Sequence, residues 1–412
     1  MTMDYPSINR HILDAIGDRY ERFDFDRFVD KRKLYLDIPV IHVAGSFGKS
    51  STVHYLESIY LAAGYRVGAF YSPVISDVCE AIHLDGKNIK QEAFAQIFKE
   101  NEKDFAKFSL SGFEMLVSVA YRYFAKEKPD LLIVECGMGG ELDATNLDDL
   151  PTVLSLITGI GLDHTEYLGT TLSAVAIAKA GIIKEGVPVL FANMDEAVAD
   201  ILRNDASKKR SSFTFLESIR TLHLVEGKVH FDYGPYKDVR LGTLSLCESV
   251  NAAMAIQATR ILQERFPVSE DALREGLDVP SLPLHLEPMG RFVFDSAENE
   301  GEIRALISSF RPYAHGKQLH VFFASKKDKN IAIILPLLDN AANSLNLTTY
   351  EGKNVREEMG YFLYEEDHRF YADPYEGLKE LAETYPEDAI VCTGSPEFAA
   401  LMKEFVIKEN LL

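Results

Sequence analysis

The stretch that most restricts how this chain can fold is Ile38–Thr52, which reads IPVIHVAGSFGKSST. Its first half is an apolar run that predicts a buried strand, and its second half is a small-residue Gly-Lys-Ser turn that leads into a helix. Backbone N–H groups of such a turn and the positive end of the helix dipole face a bound anion. The stretch therefore predicts a phosphate cradle, in which Lys49 adds a mobile positive charge and the hydroxyl of Ser50 or Ser51 can reach a magnesium ion.

The cradle motif is incomplete when it is compared with the full pattern G-x-x-x-x-G-K-[ST]. Val43 stands where the first glycine of that pattern would be, and only Gly45-x-x-Gly48-Lys49-Ser50 is present. An ordinary turn before a buried helix is an equally open interpretation of this short match. The flanking strand and helix favour a nucleotide site.

Size and composition limit the class of protein. A chain of 412 residues exceeds one ordinary core and predicts two domains. Its content of 47% hydrophobic and 26% charged residues is typical of a soluble globular protein. The formal net charge of −20 argues against a broad surface for nucleic acid or for anionic membranes, so neither is an expected partner.

The cysteines and the N-terminus indicate the compartment. The four cysteines are widely scattered without any C-x-x-C spacing, which favours reduced thiols over a disulfide framework or a zinc site. The N-terminus lacks a basic-then-apolar signal, and no apolar run is long enough to span a bilayer. We therefore expect a cytoplasmic protein.

The alternation of strands and helices predicts an α/β fold with a large P-loop-type, doubly wound N-terminal domain. After the cradle, a hairpin is expected within 74–90, and helices are expected at 112–126 and through 179–184. Short apolar runs indicate further buried strands at 65–71, 131–134, 153–157 and 189–191.

Two later stretches change in character. Residues 212–246 show short alternating strands, which predict a small β-rich subdomain, and the three prolines within 280–290 mark a linker. Beyond it, strands separated by helices predict a smaller Rossmann-like α/β domain. The predicted domains are 1–284 and 285–412.

Further motifs follow the cradle in a fixed order. They are Tyr71-Ser72-Pro73, Glu135–Asn146 (ECGMGGELDATN), Leu162–Gly169 (LDHTEYLG), Lys179–Lys184 (KAGIIK), Asp295–Asn299 (DSAEN) and Thr393-Gly394-Ser395. With the cradle, they make the chain resemble the folylpolyglutamate synthase and dihydrofolate synthase branch of the Mur ligase family. The resemblance extends from the cradle to near the C-terminus.

The resemblance implies an ATP-dependent ligase. It implies that 1–284 is an ATP-binding domain of the Mur ligase type and that 285–412 is a domain of the glutamate-ligase type. Such enzymes convert a folate carboxylate into an acyl phosphate, which the amine of L-glutamate then attacks. ATP and Mg²⁺ are the implied cofactors, with K⁺ as a further candidate, and the implied partners are the small molecules folate, L-glutamate and ATP. Family members are commonly monomers, so we expect a monomer.

The resemblance also assigns roles to individual residues. Ser72, Glu135 and His164 match positions that hold magnesium, and Lys179 matches a lysine that is carbamylated into a carboxylate-like ligand. The structural alternatives are a solvated helix lysine for Lys179, a core histidine for His164 and a capping or salt-bridged acid for Glu135. The implied nucleotide-binding residues are Gly45, Ser46, Gly48, Lys49, Ser50, Ser51, Asn251 and His285. The implied catalytic residues are Lys49, Lys179, His164 and Asp295, and those near the incoming glutamate are Asp295, Glu298 and Ser395.

Numerous residues depart from the family pattern, among them Phe47, His285 and Glu298. Phe47 puts a ring where a small amide is usual, and His285 stands where the family has an arginine that contacts phosphate. Glu298 replaces a histidine, and its charge should weaken glutamate binding unless a nearby Lys or Arg offsets it. These departures leave two alternatives open: a degenerate paralogue that binds nucleotide with little catalysis, or a Mur-type ligase with a different amino-acid or carboxylate substrate.

Overall fold

The structure of the chain is a computed structural model, which describes residues 3–16, 21–74, 76–192, 194–310, 314, 316–364 and 368–412. The chain forms two compact units. The first contains Met1–Ser218 and Val250–Val279, and the second contains Ile219–Ser249 and Pro280–Leu412. The predicted division into domains 1–284 and 285–412 stays a prediction.

The first unit is built on an eight-stranded sheet. Its strands are β1 Val40–Ala44, β2 Val67–Phe70, β3 Ile82–Leu84, β4 Lys87–Asn88, β5 Leu131–Glu135, β6 Thr152–Ile157, β7 Val189–Phe191 and β8 Phe213–Phe215. Their order is β4-β3-β2-β5-β1-β6-β7-β8. The strands from β2 to β8 in that order are parallel, and β3 and β4 add an antiparallel hairpin at one edge. The cradle strand β1 is central and completely buried, as its apolar sequence predicts.

Helices lie before, between and after these strands along the chain. They are α1 Tyr5–Ala15, α2 Phe23–Arg32, α3 Lys49–Ala62, α4 Gln91–Lys107, α5 Gly112–Glu127, α6 Thr165–Leu168, α7 Leu172–Ala180, α8 Glu196–Lys208, α9 Glu248–Ile261 and α10 Glu270–Leu277. The start of α5 is fixed by a capping box, in which the side chains of Ser111 and Glu114 each accept the other residue's backbone N–H. One apolar core joins residues of α1, α2, α4 and α5 to residues of β1, β2 and β5.

The second unit contains two sheets. Strands β9 Arg220–Val225, β10 Lys228–Tyr233 and β11 Tyr236–Leu241 form an antiparallel sheet. Strands β12 Glu287–Met289, β13 Phe292–Phe294, β14 Leu319–Phe323, β15 Ser344–Thr348, β16 Arg369–Tyr371 and β17 Ala389–Thr393 form the other, in the order β12-β13-β17-β14-β15-β16. All of its pairs except β12–β13 are parallel. Its helices include α11 Glu300–Ser308, α12 Ile331–Ala341, α13 Pro374–Thr384 and α14 Pro396–Glu409.

Three sequence predictions need correction. The first strand of the predicted β-rich region, β8, pairs in parallel with β7 and so belongs to the large sheet. The helix expected through 179–184 ends at Ala180, because the residues that follow form turns. Part of the predicted linker is the strand β12, whose residues pair with β13.

Two further features concern membrane helices and cysteines. In the part of the chain that the structure describes, no helix combines the length and the apolar character needed to cross a bilayer. The four cysteines are free thiols.

Candidate active site

The phosphate cradle lies at the carboxyl end of the central strand β1. This strand ends at Ala44 and helix α3 begins at Lys49, so residues 45–48 form the turn between them. Gly48 has a φ of +79°, and a Cβ atom there would lie 2.4 Å from Oδ1 of Asn251, so no other residue fits. Asn251 therefore lies against the cradle. Its predicted contact with nucleotide stays a prediction. The backbone N–H groups in the first turn of α3, where Ser51 is buried, can face an anion.

Hydroxyl and carboxylate oxygens gather beside the cradle. Glu135, the last residue of β5, is fully buried. The Ser50 hydroxyl donates to Oε1 of Glu135 at 2.9 Å and lies 3.3 Å from the Ser72 carbonyl oxygen. The Ser72 N–H donates to Oε2 of the same carboxylate at 3.3 Å. The structure thus brings together three of the oxygen-bearing residues that the sequence places near magnesium.

His164 is placed differently from the other expected metal ligands. It does not end a strand, because β6 ends at Ile157 and His164 is the residue that precedes α6, with a φ of +47°. The His164 N–H donates to Oδ1 of Asp163 at 3.0 Å, and its Nε2 lies 3.7 Å from Oδ2. Its carbonyl oxygen accepts the N–H groups of Tyr167 and Leu168, each at 2.9 Å.

Lys179 is the most unusual group of the site. The structure excludes a solvated helix lysine, because Lys179 is 2% exposed in the last turn of α7. Its Nζ donates to the carbonyl oxygen of Gly45 in the cradle at 2.7 Å. Burial, assisted by the positive charge of Lys49 and opposed by Asp163, lowers the pKa of Lys179 to about 7. A substantial fraction of its amine is therefore neutral near pH 7.

Asp163 is a candidate that the sequence prediction missed. Its side chain is 13% exposed, and its charge acts on Lys179. Its position next to His164 in the LDHTEYLG motif could have identified Asp163 from the sequence.

The loop that follows Glu135 is fixed to the end of α7. Nδ2 of Asn146 donates to the carbonyl oxygens of Gly140 at 2.9 Å and Gly181 at 3.2 Å. This contact joins the ECGMGGELDATN motif to the KAGIIK motif, so the two motifs place Glu135 and Lys179 on one framework.

Ser46 has a structural role in the cradle. It is buried, and its Oγ donates to the Gly161 carbonyl oxygen at 2.8 Å and accepts the Gly161 N–H at 3.0 Å. Its predicted contact with nucleotide stays a prediction.

In the second unit, the predicted residues follow the parallel strands β13 and β17. Asp295 comes directly after β13, and its two oxygens accept the N–H groups of Leu286 at 2.7 Å and Ala297 at 2.9 Å. Burial raises the pKa of Asp295, and the charge of His285 opposes that shift. The imidazole Nδ1 of His285 lies 3.0 Å from the Pro283 carbonyl oxygen.

Ser395 and Glu298 already have partners. The Ser395 hydroxyl is fully buried, accepts the Phe398 N–H at 3.2 Å to cap α14 and lies 2.9 Å from the Tyr350 hydroxyl. Glu298 forms an ion pair with Lys329 at 2.8 Å, so a lysine does offset its charge. The other oxygen of Glu298, Oε2, is buried and has no hydrogen-bond partner among the described residues.

Comparison with known proteins identifies the family. Residues 43–234 match the family described as Mur ligase middle domain. The dihydrofolate synthase/folylpolyglutamate synthase of Escherichia coli K12 is 30% identical over 319 residues, which cover 76% of this chain and 73% of that protein. The chain belongs to the dihydrofolate synthase/folylpolyglutamate synthase family. The family predicted from the sequence is thereby confirmed.

Other members of this synthase family are similar over most of their length. The folylpolyglutamate synthase of Lacticaseibacillus casei is 28% identical over 389 residues, covering 89% of this chain and 90% of that protein. The solved folylpolyglutamate synthase of Thermotoga maritima is 25% identical with a TM-score of 0.82, covering 99% and 98% of the two chains. The Mycobacterium tuberculosis synthase, solved with ADP and AMPPCP, has a TM-score of 0.87 at 23% identity over 98% and 99%, which shows the shared α/β fold.

Proposed function

We propose that the chain is an ATP-dependent ligase that forms an amide bond between a folate carboxylate and L-glutamate through an acyl phosphate. The observation that carries this proposal is the placement of Ser50, Ser72 and Glu135 beside a cradle whose Gly45 carbonyl holds Lys179. Relatives that are named folylpolyglutamate synthase support this proposal.

The residues of the cradle hold the triphosphate. Lys49 and the N–H groups of the turn bind the β- and γ-phosphates, and Asn251 approaches the nucleotide beside Gly48. His285 contributes where an arginine is usual, and an imidazole offers fewer donors to phosphate. Because the reaction brings a carboxylate to a triphosphate, donors and cations near the cradle lower its barrier.

The oxygen atoms beside the cradle suit Mg²⁺, a hard cation that prefers hydroxyl and carboxylate ligands. Ser72, Glu135 and His164 would hold the ion, which supplies charge neutralisation at the phosphates when it is bound. Potassium is a further candidate cation. No cluster of three or more His, Cys, Asp and Glu side chains suited to a metal occurs among the described residues.

Lys179 is proposed to be carbamylated. Only a neutral amine attacks carbon dioxide, and the lowered pKa of Lys179 keeps part of its amine neutral near pH 7. The new N–C bond forms as Nζ loses a proton, and the lysine becomes an anion that can help to hold a second magnesium ion.

The reaction then balances in two steps. A carboxylate oxygen of folate bonds to the γ-phosphorus and ADP leaves. The amine of L-glutamate next attacks the acyl carbon, loses a proton and expels phosphate, which keeps that oxygen.

Asp295, Glu298 and Ser395 bind the incoming amino acid. We place the enzyme in the cytoplasm as a monomer, with no nucleic acid or membrane partner, in keeping with its net charge of −20.

A second candidate keeps the chemistry but changes the amino acid. Lys329, which could bind a substrate carboxylate, is already paired with Glu298 at 2.8 Å. The buried Oε2 of Glu298 would instead favour a donor on the substrate. An acceptor amino acid other than glutamate would fit this arrangement.

The test is ATP-dependent incorporation of labelled L-glutamate into tetrahydrofolate, with purified protein, Mg²⁺ and K⁺. We expect incorporation by the wild type, loss of activity in Lys49→Ala, and unchanged activity in Lys87→Ala, a control at an exposed lysine of β4. Incorporation of another amino acid instead would establish the second candidate. ATP binding without incorporation of any amino acid would identify a degenerate paralogue.

A further inference from the structure

A set of contacts joins the cradle to the loop 158–163, and we call this set the cradle latch. The Ser46 N–H donates to the Gly159 carbonyl oxygen at 2.7 Å, and the Thr158 hydroxyl donates to the Phe47 carbonyl oxygen at 2.7 Å. The Ser46 hydroxyl bonds both backbone groups of Gly161. These bonds hold the loop and the phosphate turn together as one piece.

The ring of Phe47 completes the latch. Phe47 and Gly159 form an isolated β-bridge, and a Cβ atom on Gly159 would lie 1.8 Å from Cε2 of the ring. A Cβ atom on Gly161 would lie 3.3 Å from Cε1. The ring therefore occupies space that exists only because residue 159 is glycine. Phe47, which departs from the family pattern, therefore packs against a residue that has no side chain, Gly159.

The loop depends on these contacts for its position. β6 ends at Ile157 and α6 begins at Thr165, so the intervening residues belong to neither element. Besides its contacts with the cradle, the loop is joined to β1 at its start, where the Thr158 N–H donates to the Ala44 carbonyl oxygen at 2.8 Å. Asp163 and His164 lie at the far end of this loop, and the charge of Asp163 reaches Lys179. A loop that moved away from the cradle would carry both side chains with it.

We propose that Phe47 is a positioning residue, whose ring holds the loop 158–163 on the cradle so that Asp163 and His164 stay beside the bound phosphates and their metal. The inference rests on the proposed function only in that a metal accompanies the nucleotide. Residues that orient a metal ligand without touching the metal commonly contribute ten- to hundredfold to metal affinity or activity.

The test measures nucleotide binding by calorimetry, with Mg²⁺ and again in EDTA. Phe47→Ala is expected to weaken the Mg²⁺-dependent affinity about tenfold and to leave binding in EDTA within about twofold of the wild type. Phe47→Leu, which keeps apolar bulk, should recover most of the loss. Phe213→Ala, a half-exposed ring on β8, is the matched control and should change neither affinity. Equal weakening in both buffers, or none, would overturn the proposal, because Phe47 would then support only the phosphate turn or nothing at the site.

A second pair of variants tests the contact itself. Gly159→Ala should reproduce the loss seen in Phe47→Ala, because the added methyl group displaces the ring. The double variant should be no worse than Phe47→Ala alone, since the clash is then absent. Additive losses would show that Phe47 and Gly159 act independently and would refute the latch. Because these measurements need no turnover, failure of the ligase assay and failure of the latch are separate results.

Discussion

Replacing the buried Lys179 by methionine is expected to stabilise the fold, and the gain should depend on pH. The pKa of Lys179 falls from 10.5 to about 7 because its ammonium is buried and lies near the charge of Lys49. Since one pKa unit corresponds to about 1.36 kcal/mol, folding with a protonated Lys179 costs about 5 kcal/mol at pH 6. Methionine has a similar length and no charge to bury.

The free-energy cost of burying the Lys179 amine falls as pH rises. Above pH 7 the folded amine is neutral while the unfolded chain still binds the proton, so wild-type stability increases toward pH 10.5. At pH 9 a cost of about 2 kcal/mol remains. The variant also loses the hydrogen bond to Gly45, which takes away about 1 kcal/mol at either pH. The net gain in the free energy of unfolding for Lys179→Met should therefore fall from about 4 kcal/mol at pH 6 to about 1 kcal/mol at pH 9.

Urea unfolding at the two pH values, in buffer freed of carbon dioxide, measures this difference. Lys208→Met replaces an exposed lysine of α8 and serves as the control, with changes expected within about 0.5 kcal/mol. A gain of the same size at both pH values would refute the reasoning, because the amine would then not change its protonation between them. A loss of stability at pH 6 would show that Lys179 is not held as a buried cation.

Three further predictions concern the proposed chemistry. Wild-type protein in ¹³C-bicarbonate should show a carbamate NMR signal that Lys179→Met lacks; a signal that persists in the variant would place the carbamate elsewhere. Glu135→Gln should raise the Mg²⁺ concentration needed for half-maximal activity at least tenfold, because an anionic ligand becomes a neutral one; an unchanged requirement would mean that Glu135 does not contact the metal. Glu298→His should raise turnover of L-glutamate and lower its KM several-fold, because Lys329 is then released for a substrate carboxylate; an unchanged or lower rate would contradict the placement of Glu298 beside the substrate.

The parts of the fold that sequence predicts best are those set by local pattern. The cradle strand is a continuous apolar run because a central parallel strand is buried on both faces, and the turn after it needs glycine at position 48. Helix α4 is absent from the prediction, although Phe94, Phe98 and Phe105 are buried along it, because charged residues outnumber them in the sequence.

Long-range partners explain what local pattern cannot show. From local sequence alone, Lys179 could be a solvated helix lysine. Its burial becomes evident only from the structure, in which its partner is the Gly45 carbonyl oxygen, 134 positions earlier. The strand β8 was assigned to the β-rich subdomain because its partner β7 lies beyond an intervening helix. The ion pair between Glu298 and Lys329 likewise joins residues that follow two different strands, so the sequence alone does not show it.

The central claim is that phosphoryl transfer activates the carboxylate of folate at the cradle. Its most direct test uses folate whose reacting carboxylate carries ¹⁸O at both oxygens, with ATP, Mg²⁺ and L-glutamate, followed by mass spectrometry of the released phosphate. We expect one ¹⁸O atom in the phosphate for each amide bond formed. The bridging oxygen of the acyl phosphate comes from the carboxylate, and it leaves with the phosphate when the bond to the acyl carbon breaks. Amide formation with unlabelled phosphate would contradict the account.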